Sequence, residues 1–210
     1  MGPLLVSTEC RALTIRDRLL LAAVTLAVLL PGIFGVSLTD RDEGWYGQVG
    51  REMVQTGDWL VPRYLGAPWL GKPPLLYWCV AASWTVFGVH EWAARLVSVN
   101  GWPFEAALVA VLAMAGAVQL LATLTAGLFD RRVAWLASVS FITAALPAVI
   151  GKLLLTDALL LWWCLAAMVV FWRMATDGAT VSRAAWFWLC VGLGILTKGP
   201  AILLFVGAFG

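Results

Sequence analysis

The chain is 210 residues long, 62% hydrophobic and only 12% charged, with a formal charge of +2 and a mean hydropathy of +0.89. Those values exclude a soluble globular domain, and with no block of five or more basic residues a nucleic-acid partner is excluded as well. Apolar runs long enough to cross a bilayer recur, and since lipid offers no hydrogen bonds to a bare backbone, each must be a helix or part of a closed barrel.

Leu, Ala and Val runs without a period of two select helices, so the expected fold is all-α, polytopic and transmembrane. The N-terminal residues 1–18 carry Arg11, Arg16 and Arg18 and are expected in the cytoplasm. Residues 19–37 follow as the first transmembrane helix, longer than a signal-peptide core and without an A-x-A cleavage site. Residues 38–73 form a charged external loop: Leu38 to Pro73 holds 9 of the chain's 26 charged side chains. Within it Trp45, Val49 and Met53 recur every four residues, which predicts an amphipathic helix over Glu43–Thr56 lying in the membrane interface.

Residues 74–210 read as a transmembrane helical bundle. Its apolar segments run from Pro73 to Val89, from Glu91 to Phe129 with an interruption at Gly101-Trp102-Pro103, from Val133 to Ile150 and from Leu153 to Trp172. The polar patch "MATDGATVSR" separates these from Ala184–Leu196, and "TKGP" interrupts the last run. The end inside "AILLFVGAFG", with no polar tail, leads to the expectation of a truncated bundle. Placing Arg131, Arg132, Arg173 and Arg183 inside puts Asp157 and Lys198 outside, on the face of Asp42. That needs an odd number of crossings between Lys72 and Arg131. Either Pro73–Val89, only ~25 Å as a helix against a core of ~30 Å, lies along or re-enters the surface, or the following segment crosses twice.

The polar residues divide into caps and candidates. Asp42 opens the amphipathic helix: Asp40 or Asp42 caps it, with Glu43 closing a capping box on Asp40, or Asp42 takes a proton from a bound hydroxyl where partial desolvation raises its basicity. Lys72, before two prolines and among Trp69, Tyr77 and Trp78, either snorkels or meets a lipid phosphate. Asp157 in "LLLTDALLLWW" is an interfacial cap or a functional carboxylate, because an unpaired charge in lipid is costly. Lys198 sits where Gly-Pro breaks a helix, tolerated at membrane depth only where backbone is shielded or lines a cavity. His90 reads as interfacial filler, Glu105 has no assigned role, and Cys10, Cys79, Cys164 and Cys190 lack any CxxC or metal spacing.

Taken in order, "DEGWYGQVGREMVQTGDWLVPRYLGAPWLGKPPLLYW", "EWAARL", "LLLTDALLLWW" and "GLGILTKGPA" resemble the ArnT-like and protein O-mannosyltransferase-like glycosyltransferases of the GT-C superfamily. The resemblance spans most of this chain and the N-terminal half or less of a typical member. It implies a multi-pass enzyme of the bacterial inner membrane that moves a sugar from a polyprenyl-phosphate donor to a lipid, protein or glycan acceptor on the outer face. It also implies that Asp42 is the catalytic carboxylate of the first external loop and Glu43 its acidic neighbour. Asp157 becomes the second acidic site, and Lys72 and Lys198 the lysines of the KPP and TKGP motifs. Asp42 would then act as general base while Lys72, with Lys198 or Arg63, neutralises the departing phosphate; Tyr46 joins them as a substrate-binding residue. Gly71 stands where some relatives carry an acidic residue that could bind a metal, which argues against a divalent metal here. The stretch around "NGWPFEAALVAVL" is about a dozen residues longer than the pattern. Two rivals remain at this stage: a transporter or lipid flippase, which would also use broken helices and intramembrane charges, and an inactive remnant of a transferase.

Overall fold

The computed structural model describes residues 13–31, 41–87, 104–151 and 156–207. Cys10, Asp40, His90, the "EWAARL" motif at 91–96, Gly101-Trp102-Pro103, Lys152 and the end of the first apolar stretch after residue 31 lie outside them. Nine described helices and one small hairpin follow in order: α1 (Ile15–Leu29), α2 (Arg41–Thr56), β1 (Arg63–Tyr64), β2 (Ala67–Pro68), α3 (Leu75–Phe87), α4 (Phe104–Leu128), α5 (Arg131–Thr143), α6 (Ala145–Ile150), α7 (Thr156–Asp177), α8 (Val181–Lys198) and α9 (Ala201–Gly207).

Helix α1 starts at Ile15, before the apolar stretch, because Thr14 and Asp17 build a capping box. The Asp17 N–H donates to the Thr14 hydroxyl at 3.2 Å, and the Asp17 carboxylate accepts from the Thr14 N–H at 2.9 Å. Each bond meets a polar group that the first turn of a helix leaves unpaired. Helices α4 and α7, of 25 and 22 residues, reach ~37 and ~33 Å, and are the two described helices long and apolar enough to cross a hydrocarbon core of ~30 Å. Gly116 and Gly127, eleven residues apart, lie on one face of α4. A Cβ at either would collide with the ring of Trp162 or Trp172 on α7. Between lipid-solvated helices, where no water drives association, such small residues let two spans approach closely.

Two apolar segments are broken by backbone chemistry. Val133–Ile150 is two helices, with the break at Ala144 (ψ 143°), since Pro147 has no N–H to return to Thr143 and its ring crowds that carbonyl. Between α8 and α9, Gly199 adopts φ 70° and ψ −153°, a region essentially closed to residues with a Cβ, and Pro200 immediately precedes the next helix. Gly199 still donates its N–H to the Ile195 carbonyl at 2.7 Å.

Short connections fold α5 back on α4 through Phe129-Asp130, and α8 back on α7 through residues 178–180. The connecting end is arginine-rich: Arg131 meets Asp17 at 2.7 Å, Arg183 meets Asp177 at 3.3 Å, and Arg18 donates to Thr123 at 3.2 Å. The opposite end holds the main core. There Val49 and Met53 of α2 and Leu76, Tyr77, Val80 and Trp84 of α3 pack with Leu29, Met114, Ile142, Ala158 and Leu159. The α2–α3 unit therefore sits on the end of the bundle where α7 begins. Helix α3, 13 residues or ~20 Å long, is shorter than the hydrocarbon core, and α4 is one uninterrupted helix from Phe104 to Leu128. Large apolar side chains such as Ile15, Leu19, Leu136, Trp186 and Trp188 point outward, as a chain solvated by lipid requires.

Candidate active site

Asp157 stands in the first turn of α7 and Lys198 in the last turn of α8. The two helices run antiparallel, so the partial positive end of one lies beside the partial negative end of the other, and each charge suits its own helix terminus. Lys198 Nζ donates to Asp157 Oδ1 at 2.5 Å across 41 residues of sequence. Both side chains keep about two-fifths of their surface open (44% and 39%), and an ion pair that exposed contributes only ~0–1 kcal/mol to stability. The pair stands at the rim of a cleft of ≈290 Å³ lined by Leu160, Leu161, Cys164 and Ala201. A cation and a carboxylate thus stand over an apolar slot open to a ligand.

The amphipathic helix expected over Glu43–Thr56 is present as α2, with Val49 and Met53 buried on its inner face (0% and 1% exposed). Its described part begins at Arg41, which places Asp42 and Glu43 in the first described turn; Asp40, the other cap candidate, lies outside the described residues. The backbones of Asp42, Glu43 and Tyr46 lie in the first two turns of α2; their side chains lie outside the described part of the structure.

The loop after α2 is organised by Glu52, which the sequence reading passed over. Its carboxylate accepts from the Leu65 N–H at 2.7 Å, the Gly66 N–H at 3.0 Å and the Gln48 side-chain amide at 2.7 Å. Those N–H groups belong to the two-residue turn of the β1–β2 hairpin, where Leu65 and Gly66 both have positive φ (52° and 79°). Such primed turns favour Asn or Gly at the position Leu65 fills, so the carboxylate holds a strained corner. Burial opposes the charge on Glu52, yet the bonds from Gly66, Gln48 and Leu65, with Arg63 nearby, keep it below the ordinary glutamate range.

Arg63 is turned to Asp58 at 3.7 Å and to the Gly66 carbonyl at 3.4 Å, so in this arrangement it braces the hairpin. Trp45 packs edge to face on Tyr64 and Trp69, which are tilted to each other, with centroids 5.1 to 6.1 Å apart, and the Trp69 indole donates to the buried Tyr77 hydroxyl at 3.1 Å. Lys72, half-buried, follows the hairpin and precedes the two prolines that lead into α3. Among the described residues no three His, Cys, Asp or Glu side chains converge to hold a metal.

The structure therefore brings Asp157 and Lys198 into contact and seats α2, the hairpin and α3 on the same end of the bundle, against Ala158 and Leu159. Residues 19–210 match the family model described as dolichyl-phosphate-mannose-protein mannosyltransferase. The chain belongs to this family. Among curated members, it is 36% identical over 165 residues to an undecaprenyl phosphate-alpha-4-amino-4-deoxy-L-arabinose arabinosyl transferase of Aeromonas hydrophila, which covers 77% of this chain and 28% of that protein. A transferase of the same name from an Enterobacter species is 32% identical over 86% of this chain and 31% of its own length. The crystal structure of ArnT from Cupriavidus metallidurans bound to undecaprenyl phosphate superposes with a TM-score of 0.74 at 25% identity, over 90% of this chain and 34% of that one. The chain spans about a third of the length of the family members it matches, and its fold is the all-α, polytopic membrane fold of that GT-C structure.

Besides Glu52, a second constellation escaped the sequence reading. Asp17, almost wholly buried, accepts from Arg131 at 2.7 Å and from the Trp135 indole at 3.0 Å, tying α1 to α5. The Arg131 guanidinium, against the opposing effect of burial, holds this carboxyl well below the usual carboxylate range. Signals for both were present. Glu52 shares the α2 face of Val49 and Met53, where a carboxylate needs partners, and Thr14 and Asp17 have capping-box spacing.

Proposed function

We propose that the chain works as a multi-pass glycosyltransferase of the bacterial inner membrane, moving a sugar from a polyprenyl-phosphate donor to an acceptor on the outer face. In this reading residues 1–18 are cytoplasmic, 19–37 span the membrane, 38–73 form the external active-site loop and 74–210 belong to the bundle. Asp42, with Glu43 beside it, takes the proton of the acceptor hydroxyl as its oxygen attacks the anomeric carbon; the bond to the phosphate oxygen breaks and the lipid phosphate departs. Lys72 and Lys198 balance the charge that develops on that phosphate, with Arg63 joining them if it leaves Asp58, and Tyr46 contacts the substrate. Asp157 holds Lys198 in place until a phosphate replaces it.

The observation that carries this reading is the exposed Asp157–Lys198 pair over an apolar cleft, on the bundle end that also carries the α2–α3 unit. A lipid phosphate needs this combination of a cation and a dry slot. The names of the related transferases supply the donor class, undecaprenyl phosphate sugars. In proteoliposomes, the protein is expected to consume a polyprenyl-phosphate sugar and leave a nucleotide sugar untouched. Turnover of the nucleotide sugar alone overturns the donor assignment, and uptake without transfer favours a transporter or flippase.

A further inference from the structure

At the arginine-rich end, remote from the Asp157–Lys198 cleft, a groove of ≈500 Å³ opens between α1, α4, α7 and α8. Arg18 and Arg173 both line it, and its floor is Trp162, Ala166, Val170 and Leu193. Among the described residues the acids of this end are engaged elsewhere: Asp17 binds Arg131, Asp130 caps α5 by accepting from the Val133 N–H, and Asp177 binds Arg183. Arg18 makes one neutral bond to Thr123, and the described structure gives neither Arg18 nor Arg173 an acidic partner. Two cationic side chains lining one groove favour an anion there.

The groove's dimensions choose the occupant. From Trp162 to Arg173 it follows eleven residues of α7, ~17 Å, against ~15 Å for one leaflet of a hydrocarbon core of ~30 Å. That length suits one acyl chain whose headgroup lies at the level of the arginines. We infer that this groove binds an anionic glycerophospholipid of the leaflet on the arginine-rich side, its phosphate bridging Arg18 and Arg173 and one acyl chain lying along α7 over Trp162 and Ala166. Guanidinium forks suit phosphate oxygens, and an aromatic and aliphatic floor suits the chain.

Native mass spectrometry of the 210-residue chain, equilibrated with equimolar phosphatidylglycerol and phosphatidylcholine before release from detergent, tests the site. The wild type is expected to retain one phosphatidylglycerol in preference to phosphatidylcholine. The pair Arg18→Gln with Arg173→Gln should lower that retention about tenfold or more, since each lost charge-assisted bond is substantial. Ala166→Phe, which fills the floor and leaves both charges, should lower it too. Arg132→Gln, an exposed arginine at the same end, should leave it unchanged. Near-ultraviolet circular dichroism confirms that each variant keeps its tryptophan packing. Equal retention of the two lipids by the wild type, or undiminished phosphatidylglycerol on the double variant or on Ala166→Phe, overturns the inference, as does a loss with Arg132→Gln equal to that of the double variant.

Discussion

Replacing Glu52 by alanine removes the one acceptor that the Leu65 and Gly66 amides share. A hydrogen bond to a charged group contributes about 1.5 to 3 kcal/mol, but both turn residues are exposed, so water recovers part of the loss. The lower end for two bonds is ~3 kcal/mol, of which solvent leaves ~2 kcal/mol, while the left-handed Leu65, which carries ~1 to 2 kcal/mol of strain, now works against the turn unopposed. Two kcal/mol corresponds to about thirtyfold in an opening equilibrium. Hydrogen exchange of the Leu65 and Gly66 amides in nanodiscs should therefore quicken about thirtyfold in Glu52→Ala, and less in Glu52→Gln, which keeps a carbonyl acceptor. Acid should act in the same direction. Because the carboxyl is held below its ordinary value of 4.5 in the folded protein, its contribution is complete above that pH and is lost as pH falls through the lower folded value. Protection of both amides should thus be flat from pH 7 to 5 and then collapse in the wild type, while Glu52→Ala shows no such step. Exchange in Glu52→Ala within threefold of wild type would refute the idea that this carboxylate holds the hairpin.

Three other outcomes can be checked directly. Asp42→Asn should leave α2 and expression intact, since Asn suits a helix start about as well as Asp, yet lower sugar transfer by about 10² to 10⁴, because an amide is no base; near-normal transfer would send the search to Glu43 or Asp157. Gly199→Ala should destabilise the α8–α9 junction by about 1 to 3 kcal/mol, read as a drop in thermal stability, through backbone strain alone, because a Cβ there meets no neighbouring atom. Single cysteines placed beside Lys72 and Lys198, in a background lacking Cys10, Cys79, Cys164 and Cys190, should react with an impermeant reagent in intact cells. Cysteines beside Arg131 and Arg183 should react only after permeabilisation, and labelling near Lys198 restricted to permeabilised cells would separate it from the external loop.

Hydropathy alone dictated helices, because a backbone in lipid must satisfy itself within its own segment, and the four-residue recurrence of Trp45, Val49 and Met53 was enough to mark α2 and its buried face. The break at Gly199-Pro200 was equally local, a property of two residues that no distant neighbour alters. Pro147 carried the same kind of signal for the α5–α6 break, although the hydropathy of Val133–Ile150 reads straight through it. Pairings across helices were of another kind. Asp157 and Lys198 are 41 residues apart, Asp17 and Arg131 114 apart, and Glu52 reaches a turn 13 residues on. Each charge was visible in the sequence, but its partner depended on which helix faces met, and that is set by close packing at positions such as Gly116 and Gly127, where α4 admits the tryptophans of α7. Packing of this kind is a property of surfaces assembled from several segments at once, so the contacts of Glu52 and Asp17, and the groove between Arg18 and Arg173, exist only once the helices have come together.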